Sequence, residues 1–254
     1  QGYCYQMWRG RNNSVRLDGM AGQFVILFPD KDAFVVLTAN ARNTQEELNL
    51  VHNYLIPAIK SAKALPSDPA SYKTMLEKQS ALKIKPPVSE VQDSRFAGII
   101  SGREFVLQDN EYQIQSVYFA FKDRECSFGI KRNNQVSVIR AGAGNWKVSN
   151  TKTASLLAPA RTAASRSIDA AYAVPQPVIK AGSVFAWTDP NTLEITARFV
   201  EESLGEQTIV CRFSEMNGVT AVTVGAKQMP GMAGAAGRMG PAALQLRGTL
   251  VNLD

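Results

Sequence analysis

Histidine is the scarcest chemical resource in this chain: 254 residues contain one, His52. That excludes a zinc centre built from several imidazoles, and any Ser-His-Asp triad has to be built on His52. Its place between Val51 and Asn53 on a predicted helix reads as a helix-surface or cap-proximal position. Cysteine is nearly as scarce. Cys4, Cys126 and Cys211 are odd in number and far apart, which excludes a disulfide framework and shows no metal-ligand spacing. Each sits in strand-like surroundings, which predicts buried thiols. No apolar run approaches the roughly 18 residues of a membrane span, and the opening Tyr3 to Trp8 is too mixed for a leader's apolar core. Charge of one sign is not gathered either. The 28 Lys and Arg against 22 Asp and Glu give a net +6, scattered as on a solvated basic surface. A nucleic-acid partner would ask for a stripe. No fixed-period repeat is visible.

What is present is an ordinary globular balance, 45% hydrophobic and 20% charged, in a length that suits one large or two small domains. Residues 2–9 alternate like a strand, and Gly10 to Asn13 turn the chain. Ser14 to Leu17 resume a strand, which Asp18-Gly19 is expected to break as a β-turn. Gln23–Phe28 and Ala33–Ala39 are apolar strands joined by Pro29-Asp30-Lys31-Asp32, so the opening reads as a meander of about four strands. Thr44 and Glu47 fit a capping box for a helix with Leu48, Val51, Leu55 and Ile59 on one face. Pro57 predicts a kink or terminal turn. Pro69 to Leu82 reads as a second helix with Tyr72, Leu76 and Gln79 on one side, and 83–94, with its paired prolines, as a linker. From residue 95 short strands and turns follow: Glu104–Leu107, Gln113–Lys122, Cys126–Lys131, Gln135–Ile139, Ser183–Trp187, Leu193–Glu201, Thr208–Phe213 and Val219–Val224. These predict an antiparallel barrel or sandwich. Residues 149–176, rich in Ala, Ser and Thr, read as a long excursion.

The stretch "GYCYQMWRG…VRLDGMAGQFVILFPDKDAFVVLTAN" with its capped helix resembles the last part of the serine β-lactamase and penicillin-binding-protein fold. Within it, the class C β-lactamase-like hydrolases and esterases are nearest in pattern. The match spans roughly residues 2–62, and the remainder resembles, more loosely, a lipocalin-like barrel extension. The resemblance implies an α+β, mostly antiparallel β chain in three parts. Residues 1–64 are the terminal strands and helix of a β-lactamase-like domain, 65–94 a helical, proline-containing linker, and 95–254 the barrel. It implies the C-terminal portion of a longer serine hydrolase acting on small esters, amides or peptides by acylation of an upstream serine. The family's Ser-x-x-Lys and Tyr-x-Asn motifs are expected upstream of residue 1, so the chain alone is expected to be inactive. A periplasmic or secreted bacterial setting is slightly favoured. No metal and no cofactor are implied.

The family's Lys-Thr-Gly place is taken by Leu17-Asp18-Gly19. The cation is missing at Leu17, and Arg16 beside it is the available substitute. Asp18 replaces the hydroxyl residue. Gly19 is retained where a backbone approaches a ligand, and by analogy the amide of Met20 is an oxyanion donor. Arg16, Asp18 and Gln23 are the candidate substrate-binding residues. Ser80-Ala81-Leu82-Lys83 also spells Ser-x-x-Lys but lies beside the linker and reads as a chance match. Gly234, Gly237 and Gly240 lack the strand-loop-helix setting of a phosphate loop. Met229, Met232 and Met239 in the same loop suggest an adaptable apolar flap. Trp146 and Trp187 read as barrel core. The rival reading is a non-catalytic β-barrel binding or structural module with only ancestral hydrolase resemblance. An incomplete sheet also predicts association, with the upstream segment or with itself.

Overall fold

The computed structural model describes residues 2–41, 43–61, 63–64, 66–91, 94–151, 179–200, 206–227 and 245–251. They form two compact units, Gln1–Ile84 and Lys85–Asp254, mostly antiparallel β.

The first unit is a five-stranded antiparallel sheet in chain order: β1 (Tyr3–Cys4), β2 (Met7–Arg9), β3 (Val15–Gly19), β4 (Gln23–Phe28) and β5 (Ala33–Leu37). Residues 2–9 are therefore a tight hairpin, not one strand. Tyr5 and Gln6 both take positive φ, 50° and 65°, the geometry of a two-residue loop that follows the strand twist. Asp18 and Gly19 are strand residues paired with Phe24 and Gln23, so the expected turn there is corrected. It falls three residues later, where Ala21 and Gly22 have φ of 60° and 90°. The sharper glycine requirement is the one at Gly22.

Helix α1 (Thr44–Leu50) starts one residue before the expected capping box. Asn43 is the cap, its side chain accepting from the Glu46 amide and donating to the Glu46 carboxylate at 3.4 Å. The chain continues as a π-turn, Val51–Leu55, and a last turn α2, Ile56–Ala58. Pro57 brings no N–H to the ladder, and the Ile56 amide donates five residues back to Val51. This widened turn changes the buried face. Phe24, Ile26 and Phe28 of β4 pack against Leu48, Val51 and Ile56, while Leu55 is exposed. Helix α3 (Pro69–Ala81), capped by Asp68 accepting from Ser71 at 3.0 Å, buries none of its residues. The expected burial of Tyr72 and Leu76 is thus not found.

The second unit is a barrel. Its strands are β6 (Arg103–Leu107), β7 (Ile114–Lys122), β8 (Glu125–Arg132), β9 (Gln135–Ala143), β10 (Lys147–Thr151), β11 (Ile179–Asp189), β12 (Thr192–Phe199), β13 (Glu206–Met216), β14 (Val219–Ala226) and β15 (Gln245–Leu250). Nine close into a ring. The order runs from β11 through β15 to β6 and on to β9, and a short parallel pairing of Val184 with Gly142 and Phe185 with Ala143 shuts it. β10 pairs with the other part of the same β11 edge. Closure removes the exposed edges of an open sheet. Inward residues are apolar and essentially without solvent exposure, among them Phe105, Phe119, Phe128, Leu193 and Ile195. An unforeseen short helix, α4 (Arg95–Ile100), adds Phe96 and Ile100 to that core. Phe96 stacks on Phe213 at 5.6 Å. Trp187 joins the cluster, but Trp146 is half-buried over Gly182 and 5.6 Å from the Arg198 guanidinium, so its expected core place is corrected. Ser89 and Glu90 of the 83–94 stretch are anchored: the Glu90 amide donates to the Trp187 carbonyl at 2.9 Å, and the Trp187 amide donates to Ser89 Oγ at 3.1 Å.

Candidate functional site

All six residues singled out from the sequence sit on one hairpin, β3 and β4 with their turn. β4 pairs along β3 from Val15 to Gly19, but on the other side β2 pairs only with Val15 and Arg16. Among the described residues, the stretch from Leu17 to Gly19 is thus laddered on one side only. It continues into Met20, which is 69% exposed. A strand bare on one side offers main-chain donors and acceptors to an extended ligand.

The side chains are less suited to an anionic substrate. Arg16 and Asp18 alternate with Leu17, so they share the face that carries Phe24 and Ile26. Arg16 Nε donates to Asp18 Oδ1 at 2.8 Å, and that pair spends on Asp18 the charge that Arg16 would offer in place of the missing lysine. Leu17 points to the opposite face. Gly19 has a packing reason to be small: a β-carbon there would lie 2.7 Å from that of Gln23. Gln23 in turn donates its side-chain amide to the Ala39 carbonyl, and the Ala41 amide bonds Ala21 at 2.9 Å. The turn is tied to the chain leaving β5.

Glu47 was expected in a cap. Its carboxylate instead lies against Gly22, where a β-carbon would come within 3 Å of all three carboxylate atoms. One oxygen, Oε2, is buried without a hydrogen-bond partner. Burial raises the Glu47 pKa above the ordinary carboxylate range. No sequence pattern separates such a glutamate from an exposed one on the same helix.

His52 is buried rather than at the helix surface. Nδ1 lies 3.3 Å from Asn12 Nδ2, and the ring meets Phe28 edge-on at 5.4 Å. Burial lowers its pKa first, and the positive Arg11 and Arg16 lower it further. A carboxylate that would complete a triad is not among these neighbours. Ser80 donates its hydroxyl to the Glu77 carbonyl at 2.9 Å, and α3 ends before Lys83, with Leu82 already extended. Ser80 and Lys83 therefore share no helical face. Cys126 and Cys211 are buried, and burial raises both thiols, making them poor nucleophiles. Cys4 is exposed, against expectation. The described residues bring together no group of three or more metal-ligating side chains and hold no helix long and apolar enough to cross a membrane. Gly234, Gly237, Gly240, Met229, Met232 and Met239 lie outside the described residues, as does 152–176 of the long excursion.

No protein-family model, curated protein or solved structure matches the chain.

Proposed function

We propose that this chain is the C-terminal part of a β-lactamase-related serine hydrolase with a lipocalin-like barrel appended. In that reading Asp18 to Gln23 form one wall of the acyl-transfer cleft, and the nucleophile is supplied by polypeptide preceding residue 1. The observation that carries the reading is the strand from Leu17 to Gly19, laddered on one side only among the described residues and ending at an exposed Met20. It lies in the sequence pattern that resembles the family's third motif. In this role the Met20 amide stabilises the developing oxyanion, and the free edge of β3 aligns an ester, amide or peptide substrate. The test is Met20→Pro in the longer gene product, which removes that amide itself. Acylation by an activated ester should fall on the order of 100-fold, the cost of losing an oxyanion donor, with the thermal midpoint of the barrel unchanged. An unaltered acylation rate contradicts the assignment.

A non-catalytic module is the second reading, favoured by a specific observation. Arg16 is neutralised by Asp18, and a buried carboxylate, Glu47, lies against the same turn. Both work against binding an anion there. Under this reading Met20→Pro changes only the stability of the hairpin.

A further inference from the structure

The turn between β3 and β4 carries a carboxyl oxygen without a partner. Glu47 reaches from the first turn of α1 to Gly22, and its carboxyl group fills the place where a Gly22 side chain would begin. Oε2 is buried and accepts no hydrogen bond. The turn beneath it, Ala21-Gly22 at φ of 60° and 90°, has its other ties to the chain leaving β5, from Gln23 to the Ala39 carbonyl and from the Ala41 amide to Ala21. Among the described residues, the surrounding elements bring no compensating charge. β4, Gln23–Phe28, carries none. Arg16 and Asp18 of β3 pair with each other at 2.8 Å. Arg11, in the loop before β3, bonds Asn49 at 3.3 Å. His52 turns to Asn12 and Phe28, and Glu46 takes part in the Asn43 cap. Burial is the cause that shifts the titration of Glu47.

We propose that Glu47 is a pH-operated latch on the β3–β4 turn. The neutral acid stays seated against Gly22 and holds Met20 to Gly22 in place. The carboxylate, its proton given up to solvent, leaves the seat and frees the turn. The physical reason is the cost of burial. A neutral carboxyl leaves Oε2 as a carbonyl oxygen, which costs far less to bury without a donor than an ion does. The ion has an easy outlet, because Glu47 is half-buried as a residue and rotation between staggered side-chain conformers brings its carboxylate to water without unfolding α1. Burial moves the titration above the ordinary carboxylate range, so the seated form persists on the acid side and release comes as pH rises through the raised value. The turn continues into Met20 at the end of the β3 edge, so the latch acts on the candidate site. The inference does not depend on the hydrolase reading, because it is read on the turn itself.

The test is a titration of the whole chain from about pH 4 to 8, followed by NMR of the glutamate carboxyl carbons and by backbone amide relaxation. The Glu47 carboxyl should titrate above the ordinary glutamate range. The order parameters of Met20, Ala21 and Gly22 should fall from rigid to flexible values across that same midpoint. Glu47→Gln, neutral and of the same shape, should keep the turn rigid at every pH, and Glu47→Ala, which empties the seat, should leave it flexible at every pH. The sheet and barrel amides in the same spectra report whether each variant is folded. A Glu47 midpoint within the ordinary range overturns the proposal. So does a turn whose order is the same on both sides of the midpoint. A pH step in the turn that survives in Glu47→Gln overturns it too, because another group would then drive it.

Discussion

At the scale of single residues, the candidate site is flanked by two groups whose titration is coupled to folding in opposite senses. Glu47 holds an unpartnered, buried carboxylate oxygen. Its folded pKa is raised, so the folded state binds this proton more tightly than the unfolded chain. The stability it lends is complete below the ordinary carboxylate range and is lost as pH rises through the raised value. Glu47→Gln should therefore stabilise the first unit at neutral pH, where it removes the buried charge, and have little effect in acid. Thermal melts at two pH values check this. His52 has the opposite sense. Its folded pKa lies below the ordinary 6.5, so stability present above that value declines as pH falls toward the folded value. His52→Gln should flatten this decline in a melt series from pH 7 to 5. The type of such residues was legible, but not their burial. Nothing in "NLVHNY" says that the imidazole turns inward to Asn12 and Phe28, and the arginines that depress it come from β3 and the loop before it.

At the scale of elements, local chemistry was legible where a turn puts asparagine at positive φ, but not at Tyr5-Gln6, whose residue types announce no turn. Asn133-Asn134 and Asn217-Gly218 are such turns. The Asp18-Gly19 reading failed because turn propensity competes with pairing to Phe24 and Gln23, and the ladder won. Helix α4 was hidden because six residues hold too few turns to show a period, although Phe96 and Ile100 are spaced four apart. The π-turn was hidden for a related reason: one extra residue per turn replaces Leu55 by Ile56 on the buried face. Leu55→Ala should cost under about 0.5 kcal/mol, as for a surface change, and Ile56→Ala about 2 kcal/mol or more, as for a core deletion. Chemical denaturation of the two variants distinguishes the π-register from a regular helix. In the barrel, the Tyr118 ring fills the place of a side chain at Gly129, where a β-carbon would overlap it. Gly129→Ala should be strongly destabilising, and a double-mutant cycle with Tyr118→Ala should show clear non-additivity.

At the scale of the whole molecule, antiparallel texture could be read from alternation, but strand number and ring closure could not: eight strands were expected after residue 95 and ten form, β10 among them where the long excursion was expected to begin. The pairings that close it join β6 to β15 and β9 to β11, partners far apart in sequence with no turn between them to announce the contact. The candidate site was legible only as a set of neighbours on one hairpin. Its free edge, its internal ion pair and the glutamate against its turn appear when β2, β3 and α1 are folded together. Because the chain forms two units with separate cores, the hairpin variants should shift the first unit's melting and leave the barrel's unchanged. The most direct measurement is fluorophosphonate labelling of the longer gene product and of this chain alone, mapped by peptide mass spectrometry. The proposal predicts one adduct on a serine preceding residue 1 in the longer product and none on this chain. An adduct on a serine within residues 1–254, or no adduct on the folded longer product, contradicts it.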